Sequence, residues 1–251
     1  MPVSWWPMAS IRQYPTMMRV LAIVHQTDAG PGVFADEMRE RGVELDEWLL
    51  SERGTGPPLE IAEYNAVLTF GGAMHADQED RHPWLRFEKD FLAAMLDDGM
   101  PLLAVCLGTQ LLADAAGGVA RRLDEPEIGW FEVEVTDDGG ADPVIGPLAP
   151  GFTAFQWHSY EGVPPEGAAI LARTPACVQA YRIGDLAWGI QFHAEVTAAD
   201  AARWIADYHT DEDAVRIGID PEAFSEQTER QIDDWNRLGR ELCGRFLDAV
   251  G

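Results

Sequence analysis

The sequence predicts a three-layer α/β fold, a mostly parallel sheet flanked by helices. Three observations predict it. Short aliphatic and β-branched runs alternate with segments of helical spacing through the first half. The joints between them are rich in glycine and proline, the residues that stop helices and strands. In the second half, several strand-like runs follow one another with short links, which adds antiparallel strands to the sheet.

Taken in order, "RVLAIV" (Arg19–Val24) reads as a buried strand and "HQTDAGPG" as the loop behind it. "VFADEMRERG" (Val33–Gly42) has helical spacing and a glycine stop. "VELDEW" (Val43–Trp48) and "AVLTFGG" (Ala66–Gly72) are the next strands. "PWLRFEKDFLAAMLDDG" (Pro83–Gly99) is a helix opened by proline and closed by glycine. Its apolar face is expected to hold Trp84, Phe87, Phe91, Leu92 and Met95. "PLLAV" is a strand that runs straight into Cys106. The antiparallel candidates are Ile128–Val135, Phe152–Trp157, Ala168–Arg173, Cys177–Ile183 and Leu186–His193. From Asp220 onward, Ile232, Trp235, Leu238, Leu242 and Phe246 recur at steps of three and four, the stripe of a long amphipathic helix. Residues 1–18 are expected to form a loose tail, and residues 19–251 a single domain, because nothing between the halves resembles a linker.

Composition narrows the function. Hydrophobic residues make up 47% and charged residues 24% of the 251, as in ordinary globular proteins. With 18 basic and 43 acidic residues the net charge is −25, which repels phosphate backbones and anionic lipid surfaces. Neither nucleic acid nor membrane is an expected partner. The 3 cysteines lie far apart and form neither a disulfide framework nor a Cys-x-x-Cys metal pattern, so a reducing cytoplasm is the expected home. "HADQEDRH" (His75–His82) clusters histidines and carboxylates, but without the spacing of a metal site; it reads as a solvated acidic loop near the rim of a pocket.

The stretch "LAVCLGTQLLA" carries the chemistry. A strand, a tight turn and a helix with a nucleophile at the turn make a nucleophile elbow. Small residues two before and two after it, here Ala104 and Gly108, let strand and helix pack closely. The helix N-terminus favours thiolate over thiol at Cys106. A cysteine nucleophile needs a base, and a third group to orient that base. His25, His75, His82 and His209 lie in polar, loop-like or helix-end contexts. His193 instead ends the apolar strand "WGIQF", and Glu195 follows two positions later, on the same side of an extended chain. Cys106, His193 and Glu195 are therefore the expected catalytic triad. The N–H of Leu107, by elbow geometry, and a second N–H from Gly71–Gly72 in "TFGGAMH" are the expected oxyanion donors.

"FGGA", "LAVCLGTQLLA" and "GIQFHAE", in that order, resemble the motifs of the class I (triad) glutamine amidotransferases, and most closely their free-standing members related to the glutaminase domain of GMP synthase. The resemblance runs from about Arg19 to the helix after Glu195 and implies a flavodoxin-like sheet. It makes Cys106 the nucleophile, His193 the general base and acid, Glu195 its orienter, and Gly72 and Leu107 the oxyanion donors. It places Gln110, one helical turn beyond Cys106, on the substrate's amino-acid end. Gly71 and the segment Trp157, His158, Ser159, Tyr160 fall where the family cradles the same end.

The implied reaction needs no metal or organic cofactor. Its substrate is glutamine or another γ-glutamyl compound, and its ammonia goes to a separate acceptor subunit or to solvent. The chain departs from the pattern at Ala104 (a glycine in the family), Ala73 and Ala194 (prolines), none of them a triad position. A stand-alone γ-glutamyl peptidase, a thiol hydrolase of another elbow fold and a non-catalytic binding protein are the competing readings. The His-x-Glu spacing speaks against the second and the intact Cys-His-Glu set against the third.

Overall fold

A computed structural model describes residues 17–51, 57 and 59–251. It is built on one sheet of nine strands in the order β2-β1-β3-β4-β9-β8-β7-β5-β6. The strands are β1 (Arg19–Val24), β2 (Glu44–Leu49), β3 (Ala66–Thr69), β4 (Leu102–Val105), β5 (Val119–Val135), β6 (Gly151–Val163), β7 (Ala169–Arg173), β8 (Val178–Ile183) and β9 (Ala187–Ile190). From β2 to β9 all neighbours are parallel; from β9 to β6 all are antiparallel. The expected α/β architecture, with its antiparallel additions, is what the chain adopts.

Seven α-helices complete the described chain: α1 (Gly32–Glu40), α2 (Trp84–Asp97), α3 (Leu107–Ala115), α4 (Asp137–Ala141), α5 (Ala198–Ala206), α6 (Glu212–Ile217) and α7 (Pro221–Val250). The layers follow from the two-residue period of the strands. In β1, Val20, Ala22 and Val24 join a core that includes Phe34 of α1, Ile205 of α5 and Phe246 of α7. Leu21 and Ile23 point the other way, into a core with Phe91 of α2 and Leu111 of α3. A strand apolar on both faces is the signature of a sheet covered on both sides.

Two expectations are corrected. On α2, Phe87 is 49% exposed and sits edge-on to Trp48, while Glu88 is wholly buried. The helix is turned so that a carboxylate enters the protein, because His25 and Thr69 wait there to bind it. The strand expected to begin at Ile128 begins at Val119, and its partner extends to Val163 rather than Trp157. The polar stretch of β5 is held in the sheet by main-chain pairing with β6, helped by ion pairs of Arg121 with Glu161 and Arg122 with Asp213. Of the expected tail, residues 1–16 lie outside the described residues; Met18 packs against the core beside β1. Among the described residues no helix is long and apolar enough to cross a membrane.

Candidate active site

The loops after β1, β3, β4 and β9 open at the carboxyl ends of the parallel strands, where open α/β sheets bind ligands. Cys106 links β4 to α3 with φ +52° and ψ −108°, the one positive φ among the described non-glycine residues. Its N–H donates to the Ile190 carbonyl of β9 and its carbonyl accepts from Gln110, so the strained turn is pinned from both sides. Gly108 is forced: a Cβ there would lie 2.5 Å from the Thr69 carbonyl. Ala104, in place of the family's first elbow glycine, is fully buried and accommodated in β4.

His193 Nδ1 and Glu195 Oε1 are 2.7 Å apart, and both side chains are buried. The carboxylate accepts, so Nδ1 carries the proton, and the ring shares the cleft with Cys106. Burial works against the imidazolium, yet the charges of Glu195 and Cys106 outweigh it and lift the His193 pKa well above the ordinary value. The ring stands edge-on to Trp204, with centroids 4.9 Å apart. Gly71 fits into the same knot: a Cβ on it would come to 2.9 Å from His193 Cε1 and 3.7 Å from Cys106 Cβ. The N–H groups of Gly72 and Leu107 have no protein acceptor among the described residues. The sequence-predicted residues thus come together around one cleft.

That cleft has a volume of about 650 Å³ and is lined by Cys106, His193, Gly72, Leu107 and Gln110, among others. Gln110 donates to the Tyr160 carbonyl at 3.1 Å, and the Trp157 carbonyl lies 3.9 Å from Cys106 Sγ. The Trp157 indole donates to Asp211 and the Tyr160 hydroxyl to Asp77, and Ser159 lines the same cleft. His158 borders the cleft; its Nδ1 donates to the Tyr160 carbonyl at 3.0 Å and its Nε2 lies 3.2 Å from Glu127 Oε2.

The acidic loop expected near the rim of a pocket lines the cleft. His75 stacks on the Tyr160 ring, and Gln78 and Arg81 join it from the acidic loop. Trp204, Asp207 and the segment 210–213, which a reading of the sequence misses, also line the cleft. Only the helical spacing around Trp204 hints at an element there.

The other two cysteines are different. Burial pushes the Cys243 thiol up to about 12 and also raises that of Cys177. Cys177, His158 and Glu127 bring their ligand-type atoms within 4.8 Å of one another, a cluster distinct from the cleft's Cys106, His193 and Glu195. Glu127 Oε2 already accepts from Gln179 at 2.6 Å and from the Cys177 thiol at 3.5 Å. A protonated thiol donating to a paired carboxylate is a hydrogen-bond network, and the donor set does not call for an ion.

Comparison with known proteins agrees with this geometry. The family model for glutamine amidotransferase class-I matches residues 33–208. A glutamine-hydrolyzing GMP synthase subunit from Sulfolobus acidocaldarius is 35% identical over 141 residues, covering 55% of this chain and 70% of that protein. A gamma-glutamyl-L-1-hydroxyisopropylamide hydrolase of a Pseudomonas species is 30% identical over 159 residues, 59% of this chain and 53% of that one. A crystal structure of a glutamine amidotransferase from Thermotoga maritima superposes with a TM-score of 0.82 at 30% identity, over 92% of this chain and 98% of that one. A family match reaching from α1 through α5, carrying the elbow and the His-x-Glu turn with it, means that the chain belongs to the class-I glutamine amidotransferases.

Proposed function

We propose that the protein hydrolyses a γ-glutamyl amide through a thioester on Cys106. The convergence of Cys106 with a His193 ring oriented by Glu195 at 2.7 Å carries this reading. The Cys106 thiolate attacks the γ-carboxamide carbon; a C–S bond forms and the carbonyl π electrons move to oxygen. The N–H groups of Gly72 and Leu107, unused by the described protein, hold that oxyanion. His193 protonates the leaving nitrogen, and the C–N bond breaks. It then takes a proton from water, whose attack on the thioester releases glutamate and returns the thiolate. With glutamine the leaving group is ammonia, and the likeness to the glutamine-hydrolyzing GMP synthase protein supports its delivery to a separate acceptor subunit.

The size of the cleft favours a second reading. About 650 Å³ falls in the range of pockets that enclose drug-sized ligands, more room than one glutamine needs. Trp204, Asp207 and residues 210–213 line the cleft, and 210–213 lie beyond the family match. In this reading the leaving group is an amine larger than ammonia, and the likeness to a γ-glutamyl amide hydrolase supports it.

The test incubates the protein with glutamine and a panel of γ-glutamyl amides and peptides, and quantifies glutamate and the leaving amine. Release that disappears in Cys106→Ala establishes the mechanism. Release that survives Cys106→Ala, or none from the native protein, refutes it. Preferred turnover of larger amides selects the second reading.

A further inference from the structure

The loop after β3 is braced from behind by a buried polar chain that no local sequence pattern announces. His25, a loop residue by its sequence context, is 1% exposed, and Glu88 is 0% exposed. Thr69 Oγ1 donates to Glu88 Oε1 at 2.6 Å, Glu88 Oε2 lies 2.7 Å from His25 Nε2, and His25 Nδ1 lies 3.0 Å from the Gly71 carbonyl. Trp84 stacks on the imidazole at 5.2 Å with planes 14° apart, which fixes the ring's orientation.

The protons in this chain are determined. A carbonyl only accepts, so Nδ1 carries a hydrogen. One further proton lies between Nε2 and the carboxylate, whichever of the two holds it. Burial disfavours the imidazolium, but the Glu88 charge outweighs that and raises the His25 pKa. Donation from Nδ1 to Gly71 therefore persists in either state of the pair.

The consequence passes through one peptide unit. The Gly71–Gly72 bond is trans and planar, so the Gly71 carbonyl and the Gly72 N–H point in opposite directions. With the carbonyl held toward His25, the N–H faces away from it. Gly72 lines the cleft with Cys106, and its N–H has no acceptor among the described residues. Two glycines leave this peptide free to rotate, so the hydrogen bond from His25 is what decides which way it faces.

We infer that His25 is a positioning residue for the oxyanion hole: its Nδ1–H holds the Gly71 carbonyl and so aims the Gly72 N–H at the oxygen of the tetrahedral intermediate on Cys106. This rests on the proposed reading of the cleft. Glu88 and Thr69 act one and two steps further back, by fixing the imidazole.

The experiment compares the full-length native protein, His25→Leu, His25→Asn and Cys106→Ala. It measures kcat and KM for glutamine and γ-glutamyl p-nitroanilide, and the rate at which iodoacetamide alkylates Cys106. Alkylation displaces iodide at a saturated carbon and builds no oxyanion. His25→Leu is expected to lower kcat about 100-fold, as loss of an oxyanion donor does. KM should stay within about 3-fold and the alkylation rate within about 2-fold, by the same logic that only the charged intermediate feels the donor. His25→Asn puts an amide N–H near the place of Nδ1 and should recover about 10-fold of the lost kcat, part of the donor's worth. If His25→Leu does not fold, His25→Gln, whose amide falls nearer to Nε2, reads the same split. Unchanged kcat, or alkylation falling in step with turnover, overturns the inference alone. A native protein that turns over neither substrate, or a Cys106→Ala protein that turns over both, overturns the reading of the cleft and this inference with it.

Discussion

Trp235 of α7 donates its indole N–H to the main-chain carbonyl of His193 at 2.8 Å. One turn on, Gly239 carries no side chain where a Cβ would lie 1.9 Å from the Ala194 carbonyl. Asn236 donates to the Val196 carbonyl at 2.7 Å. The long helix is thus a clamp on residues 193–196, the turn that presents both His193 and Glu195. Trp235→Phe keeps the ring packing on Phe152 and Phe192 but orphans the His193 carbonyl. The expected cost is about 1–3 kcal/mol in denaturant unfolding, with a lower kcat because the imidazole is less firmly held.

Gly71→Ala should separate activity from stability. The added methyl meets His193 Cε1 at 2.9 Å and the Cys106 Cβ at 3.7 Å, so the imidazole must swing away from the sulfur. A loss of roughly 100-fold or more in kcat/KM is expected, in line with the effect of a 1 Å misplacement. Thermal unfolding should shift by only a few degrees, since the cleft offers the ring somewhere to go.

Glu195→Gln addresses the pH dependence. The raised His193 pKa keeps the imidazolium available above the usual histidine range, so glutamate release should hold into the alkaline region. Removing the carboxylate charge pulls the alkaline limb of the kcat/KM profile to lower pH. The sign for stability follows the same shift. A folded-state pKa above the unfolded value near 6.5 contributes stability that is full below that value and is lost as pH rises through the folded pKa. The stability gap between the native protein and Glu195→Gln should therefore be widest in mild acid and close at alkaline pH. A gap that widens with rising pH contradicts the assignment.

Glu127→Gln tests the second buried cluster in the opposite direction. Burial pushes the Glu127 carboxyl up, but the hydrogen bond and charge of His158 outweigh it and hold its pKa below the usual 4.5. Its contribution is present above 4.5 and is lost as pH falls through the lowered folded value. Gln179 and the Cys177 thiol donate to this buried carboxylate, and weakening a buried hydrogen-bonded charge costs about 1–3 kcal/mol. A loss at the lower end of that range is expected at pH 7, fading below pH 4.5. Because His158 Nδ1 donates to the same Tyr160 carbonyl that receives Gln110, KM should rise as well.

The contiguous parts of this protein are easy to read from its sequence. The elbow lies within one strand, turn and helix, and His193 with Glu195 lies within one turn, so local spacing locates them. A lone carboxylate on an amphipathic helix usually faces solvent, so the pattern leaves Glu88 off the apolar face of α2 and puts Phe87 on it. The reason for the exchange, His25, lies 63 residues earlier in the chain. No periodicity carries that distance; only the parallel pairing of β1 with β3 brings the two together. The same holds for the wall from Trp204 to Asp213. Its carboxylates resemble the rest of a strongly acidic surface until the fold turns them toward Cys106.

The backbone at Cys106 has a consequence beyond the reaction. At φ +52° an L-residue sits where glycine would be at ease, a cost of about 1–3 kcal/mol. Substitution to glycine would relax the turn and remove the sulfur in one step. A descendant no longer selected for turnover would gain robustness by making that exchange, so retention of cysteine at this position in any relative is a running record that the sulfur is still in use.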